Sequence, residues 1–182
     1  MNLIKTKLDG LVVLKPTVFN DSRGYFMESY NQKNINKLLG NVNFVQDNES
    51  ESSRGVLRGL HFQKPPYTQA KLVRCLKGSV LDVVLDLRKD SKTYGIFETI
   101  SLTEENKKQL FIPKGFAHGF IVLSKSAIFS YKVDNYYNPD SESGVLWSDL
   151  DLNIDWKINK NEIIVSEKDK NLPTFNEIIN PF

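Results

Sequence analysis

Two histidines are all this chain has, so each can be weighed as a proton carrier. His61 sits in Val56-Leu57-Arg58-Gly59-Leu60-His61-Phe62-Gln63. His118 sits in Ile112-Pro113-Lys114-Gly115-Phe116-Ala117-His118-Gly119-Phe120. Taken singly, a histidine in an apolar strand is more often a hydrogen-bonded core residue than a catalyst. Proton chemistry at carbon would need a base such as His61, an acid delivering from the opposite side, and a cation or hydrogen-bond donor for the enolate oxygen. Tyr131 alternates with Phe129, Ala127 and Val133 on one inward strand face, so its hydroxyl can serve as the acid; alone it reads equally as core or rim. Lys71, before the apolar Leu72-Val73, can serve an oxyanion or phosphate, or be an ordinary strand-end lysine with its stem buried.

The elements that would position these groups are mostly short and alternating, the pattern of strands. Val80 to Arg88 is the clearest: Leu81, Val83, Leu85 and Leu87 on one face, Val80, Asp82, Val84, Asp86 and Arg88 on the other. Asp82 and Asp86 fit either a solvent face or a lumen feature. Further strands are expected at 11–14, 42–46, 56–63, 70–76, 96–102, 109–112, 119–123 and 127–134, separated by turn signals such as Lys64-Pro65-Pro66, Lys77-Gly78 and Asn138-Pro139-Asp140. One early helix is expected, capped by Asn31, with Ile35, Leu38 and Leu39 as its apolar stripe and Gly40 as its stop. Leu102 to Asn106 reads as a short helix or tight loop. The segment from about residue 149 is more charged and is expected to pack on the β-domain, giving one domain over 1–182.

Hydrophobic residues at 40% and charged residues at 25% describe a globular chain with a sizeable core. A net charge of +2 is too mild to point to nucleic acid or a membrane surface. No segment approaches the length of a membrane span, and no signal-peptide pattern opens the chain. The lone Cys75 excludes an intrachain disulfide, suits a reducing cytoplasm, and reads as a small core residue.

Pro113-Lys114-Gly115-Phe116-Ala117-His118 resembles the second motif of the cupin superfamily. The expected fold is therefore mainly β: a cupin-type jelly-roll barrel or sandwich with a few short helices. A cupin metal site draws on a His-x-His pair, and here the first-motif region offers His61-Phe62-Gln63. Two histidines far apart, with no nearby ligand pair, are a poor transition-metal set, so no metal is expected.

Several blocks in fixed order carry a closer resemblance: Asp21-Ser22-Arg23-Gly24-Tyr25-Phe26-Met27-Glu28, Phe44-Val45-Gln46-Asp47-Asn48-Glu49-Ser50, Gly55 to Gln63, Gln69 to Arg74, Ile112 to Phe120, and Ser166-Glu167-Lys168-Asp169. On these the chain resembles the dTDP-4-dehydrorhamnose 3,5-epimerase family over nearly its whole length. The resemblance implies a homodimer that inverts C3 and C5 of dTDP-4-dehydro-6-deoxy-D-glucose without a cofactor. It implies His61 as base, Asp169 as its carboxylate partner, Tyr131 as acid and Lys71 as the group that stabilises the enolate. It further implies that Arg23, Glu28, Gln46, Asp47, Asn48, Arg58, His118, Glu142 and Lys168 contact the nucleotide sugar, and that Tyr137 stacks on thymine. Guanidinium groups at Arg23 and Arg58 suit a pyrophosphate.

Strict alternation places Arg58 and His61 on opposite strand faces. Either Gly59 marks a bulge or bend, or one of the two acts across the dimer. Rival activities are a C3-only epimerase with nearly the same residues, a 3,4-ketoisomerase, a non-catalytic sugar-nucleotide-binding cupin, and a metal-dependent cupin oxygenase. The Leu57-Arg58-Gly59-Leu60-His61 block argues against the ketoisomerase. The presence of both His61 and Tyr131 argues against a dead binder.

Overall fold

Because β-branched and aromatic residues alternate along so much of the chain, most of it is built into antiparallel strands. The computed structural model describes residues 1–182. Its strands are β1 (Asn2–Lys5), β2 (Val12–Lys15), β3 (Val18–Asp21), β4 (Gly24–Met27), β5 (Gln46–Ser53), β6 (Leu57–Gln63) and β7 (Lys71–Lys77). The remainder are β8 (Ser79–Asp86), β9 (Phe97–Thr103), β10 (Gln109–Ile112), β11 (Phe116–Val122), β12 (Ser126–Val133) and β13 (Glu142–Gly144). Two short helices join them, α1 (Gln32–Leu39) and α2 (Glu167–Lys170).

A six-stranded sheet runs β1-β2-β10-β7-β12-β5, and a five-stranded sheet runs β13-β6-β11-β8-β9. They face each other as the jelly-roll sandwich, without joining into a closed barrel. The β3–β4 hairpin belongs to neither sheet.

The core between the sheets is made by Val73 and Cys75 of β7, Val80 and Val84 of β8, Phe116 and Phe120 of β11, and Ala127 and Phe129 of β12. The outer face of the five-stranded sheet, with Leu81, Val83, Leu85 and Ile121, is covered by Val145, Leu152, Trp156 and the C-terminal residues Phe175, Ile178 and Phe182. The outer face of the other sheet, with Leu14, Leu72 and Phe111, is covered by Ile35 and Leu38 of α1 and by Val42 and Phe44. Both faces of β8 are therefore buried, which is why its two alternating sets are both largely aliphatic. The expected helix forms as read: Asn31 caps α1 by accepting the Asn34 N–H, and Gly40 ends it at φ 82°. Thr103 closes the tight loop at 103–106, its Oγ1 accepting from the Glu105 and Asn106 N–H groups.

One strand reading differs from the structure. Residues 42–45 are loop, their apolar side chains Val42 and Phe44 being spent on the helix-covered face rather than on a ladder. The strand begins at Gln46 and runs through the wholly polar Gln46 to Ser53. Its inward Gln46, Asn48 and Ser50 line open space rather than packed core, and Ser52 is buried against the Arg58 guanidinium, so the apolar half of the alternation is missing. β1, the β3–β4 hairpin and β13 are absent from the expected strands, being short and largely exposed or polar.

Candidate active site

His61 owes its position to an irregularity in β6. On β11 His118 pairs with His61, but Phe120 pairs with Arg58, so β6 carries one more residue than β11 across this stretch. Gly59 takes φ +126°, and its backbone lies so close to β11 that a Cβ there would stand 2.5 Å from Gly119 Cα. The extra residue reverses the alternation. Arg58 and His61 consequently line one cavity within one chain.

His61 Nε2 lies 2.7 Å from Asp169 Oδ1. Asp169 stands on α2, whose first turn is capped by Ser166, and its second oxygen accepts the Gly59 N–H at 3.2 Å. Burial pushes the Asp169 carboxyl up, but the His61 hydrogen bond and charge, with the Gly59 and Ser166 bonds, outweigh it and hold it below the usual carboxylate range. An ionised Asp169 can only accept, so His61 Nε2 carries the hydrogen and Nδ1 keeps the lone pair of a base.

Beside it a second pair is fully buried: His118 Nε2 lies 2.9 Å from Asp82 Oδ2. From the opposite sheet come Lys71 of β7 and Tyr131 of β12. Burial lowers the Lys71 ammonium to about 8, against the opposing charges of Asp82 and Glu142. Burial raises the Tyr131 hydroxyl, partly offset by Arg58, so the phenol keeps its proton at neutral pH. His61 and Tyr131 thus stand on facing walls. The cavity between them has a volume of about 510 Å³. A second, of about 290 Å³, shares His61, Lys71 and Tyr131 and extends past Gln46, Asn48, Tyr137 and Glu142. Tyr137 is half exposed and donates its hydroxyl to Glu142 Oε2 at 2.6 Å, which raises its own ionisation to about 12. Lys168 pairs with the same Glu142 oxygen.

His61 and His118 each give Nε2 to a carboxylate, Asp169 and Asp82, and keep Nδ1 free, but no group of three or more His, Cys, Asp or Glu side chains that could hold a metal ion is assembled here. Such a set suits proton transfer on a bound carbonyl compound.

Comparison with known proteins decides the family. The dTDP-4-dehydrorhamnose 3,5-epimerase family model matches residues 5–177. This chain belongs to that family. A dTDP-4-dehydrorhamnose 3,5-epimerase from Shigella flexneri is 52% identical over 172 residues, covering 94% of each chain. The crystal structure of the Elizabethkingia anophelis dTDP-4-dehydrorhamnose 3,5-epimerase superposes with a TM-score of 0.94 at 54% identity, over 99% of this chain and 98% of that one. A Legionella pneumophila dTDP-6-deoxy-D-glucose-3,5-epimerase, solved in complex with dTDP-4-keto-L-rhamnose, gives a TM-score of 0.93 at 46% identity, over 97% and 94% of the two chains.

Not every residue that the epimerase family implies meets at this cavity. His61, Asp169, Lys71, Tyr131, Arg58, His118 and Lys168 line the larger space, and Gln46, Asn48, Tyr137 and Glu142 the smaller. Arg23 and Glu28 do not line either one. Arg23, at the turn of the β3–β4 hairpin, pairs with Asp21, and Glu28 just beyond it accepts from Asn31 and Asn34. Asp47 points out of the opposite face of β5 from Gln46 and Asn48, and pairs with Lys132 at 2.8 Å. Asp82, left open between solvent and lumen, lies in the lumen at 0% exposure. Its position between Val80 and Val84 on a strand buried on both faces is the signal that could have assigned it.

Proposed function

We propose that this protein is a cofactor-independent epimerase that inverts C3 and C5 of dTDP-4-dehydro-6-deoxy-D-glucose to give dTDP-4-dehydro-L-rhamnose. The observation that carries the reading is the histidine base on one sheet facing the tyrosine acid on the other across a single cavity. Inversion requires a proton to leave one face of a carbon and return to the opposite face. In a gluco-configured ring the C3 and C5 hydrogens are both axial on the same face, so one base and one acid serve both centres after a small shift of the sugar. Both carbons flank the C4 ketone, which is the electron sink for both enolates. Lys71 lines the same cavity, which supports its ammonium as the cation for O4 in either step. Arg58 supports binding of the pyrophosphate, and the half-exposed Tyr137 ring supports stacking of thymine.

Dimerisation belongs to the same reading. The β3–β4 hairpin exposes Phe19, Tyr25 and Phe26 at 61%, 54% and 72%. Arg23 and Glu28 would then meet the nucleotide in the other copy's cavity, since they lie away from their own. Sedimentation at micromolar protein should give twice the chain mass, and Phe26→Asp should shift it toward the monomer; a wild-type monomer would sink the dimer. A cytoplasmic location fits the lone, unpaired Cys75, and no helix is long and apolar enough to cross a membrane.

Proton NMR of the substrate incubated with the enzyme in deuterated water tests the reaction. Deuterium at both C3 and C5, with inversion, is the expected result; C3 alone would make it a mono-epimerase. In Tyr131→Phe the base remains and the acid is lost. Inverted product should fall by about 10²–10⁴-fold while deuterium still washes in through His61. Equal loss of exchange and inversion would show that Tyr131 is not the acid.

A further inference from the structure

Asp82 is a carboxylate at 0% exposure on the central strand β8, flanked on its inward face by Val80 and Val84. A charge in such surroundings is costly unless its oxygens are paired. Asp86, on the same face of the same strand, shows what a structurally satisfied carboxylate looks like here. It takes the Arg88 backbone N–H, two Arg88 guanidinium nitrogens, Ser91 and Thr93. Asp82 has one partner, His118 through Oδ2, and its Oδ1 is buried with none. The fold therefore holds a nearly bare carboxylate under the cavity wall, next to the residues that would meet the reacting sugar.

Resting on the epimerase reading, we infer that Asp82 is a positioning residue: from beneath the cavity it fixes the His118 ring with Nδ1 toward the ligand and supplies the counter-charge to the Lys71 ammonium. The first part follows from hydrogen-bond chemistry. A carboxylate can only accept, so His118 Nε2 carries the hydrogen, and burial keeps the ring neutral by lowering its affinity for a second proton. His118 Nδ1 then offers a lone pair at the cavity to a sugar hydroxyl. The second part follows from the charges around Lys71. The groups facing that space are Arg58 and His61 of β6, His118 of β11, Tyr131 of β12, Glu142 of β13, Lys168 and Asp169 at α2, Glu49 of β5, and Asp82 below. Glu142 is engaged by Tyr137 and Lys168, and Asp169 by His61 and Gly59. Asp82 is the first of the two carboxylates that oppose the effect of burial on Lys71. Removing this anion disfavours the ammonium, so Lys71 would lose its proton at lower pH and the enolate would lose its cation sooner as pH rises.

Asp82→Asn removes the charge and can keep the hydrogen bond: no second donor holds the other oxygen, as the Gly59 N–H would in Asp169→Asn, so the amide carbonyl is free to accept from His118. The pH at which Lys71 becomes half-reactive toward acetic anhydride, read by peptide mass spectrometry, should fall by about one unit. The alkaline limb of kcat should fall with it while KM stays near the wild-type value. An unchanged Lys71 labelling midpoint in the folded variant overturns the inference. Labelling needs no turnover, so this outcome is distinct from failure of the epimerase reading, in which the wild type itself would not exchange substrate protons. Nitrogen-15 NMR of the unaltered protein guards against a variant that does not fold. A neutral His118 ring bearing its hydrogen on Nε2 is expected, and a hydrogen on Nδ1 overturns the inference.

Discussion

Replacing His61 with alanine is expected to abolish deuterium incorporation at both C3 and C5 and to lower kcat/KM by about 10²–10⁴-fold or more. Both centres would depend on it, because His61 is the more open of the two histidines on that wall, its side chain 27% exposed against 7% for His118, and it has an ionised partner behind it. Asp169→Asn should come close to the same loss without removing the imidazole. The asparagine amide can donate to Nε2, which moves the ring hydrogen to Nδ1 and takes away the lone pair facing the substrate. The corresponding change in the serine-protease triad costs about 10⁴ in kcat for this tautomeric reason. Because the two act as a unit, the double variant should be little worse than either single one. Affinity for dTDP, measured by calorimetry, should hold in His61→Ala, since the proposed thymine contact is Tyr137 and the proposed pyrophosphate contact Arg58. Exchange at C3 persisting in His61→Ala would mean that another base serves that carbon, and the assignment would fail.

The second large effect is expected at a residue with no chemistry of its own. Gly59→Ala should destabilise the protein by about 3 kcal/mol or more and remove activity from whatever still folds. Two causes add. The backbone there has φ +126°, and the new Cβ would lie 2.5 Å from Gly119 Cα and 2.8 Å from the His118 carbonyl oxygen. Neither is the yielding end of a side chain, so β6 and β11 must separate, and the bulge that turns His61 into the cavity goes with them. Gly24→Ala is the control. It has φ +127°, but nothing lies within 4 Å of its Cβ. It should cost only the dihedral strain, about 1–3 kcal/mol. Urea midpoints compare them directly. A Gly59→Ala loss no larger than that of Gly24→Ala would show that the close approach of the two strands contributes little.

Much of this architecture is legible in the chain itself, for local reasons. Period-two patterning marks β12, one face of which is buried, while short runs rich in aliphatic residues mark β8 and β10, buried on both faces. Asn31, Ile35 and Gly40 mark α1 through capping and periodicity. The inward parity of Tyr131 follows from its apolar neighbours Phe129 and Val133. The motif blocks carry the family, since they preserve residue types in order even where no pattern explains them. Strand β5 is hidden because its inward residues face a cavity, and a surface made to meet a polar ligand has no apolar periodicity.

What tertiary structure alone decided is which groups meet. Asp169 reaches His61 from 108 residues away, and Asp82 reaches His118 from a neighbouring strand; nothing in local spacing encodes either encounter. Alternation separates Arg58 from His61, and one extra residue in β6 reunites them. Arg23 and Glu28, adjacent in motif to the rest, stand apart from this cavity on or beside a hairpin outside both sheets. The physical reason is common to all of these. Side-chain parity is a property of each strand, while register, bulges and the choice of facing wall arise only when strands pair and sheets pack.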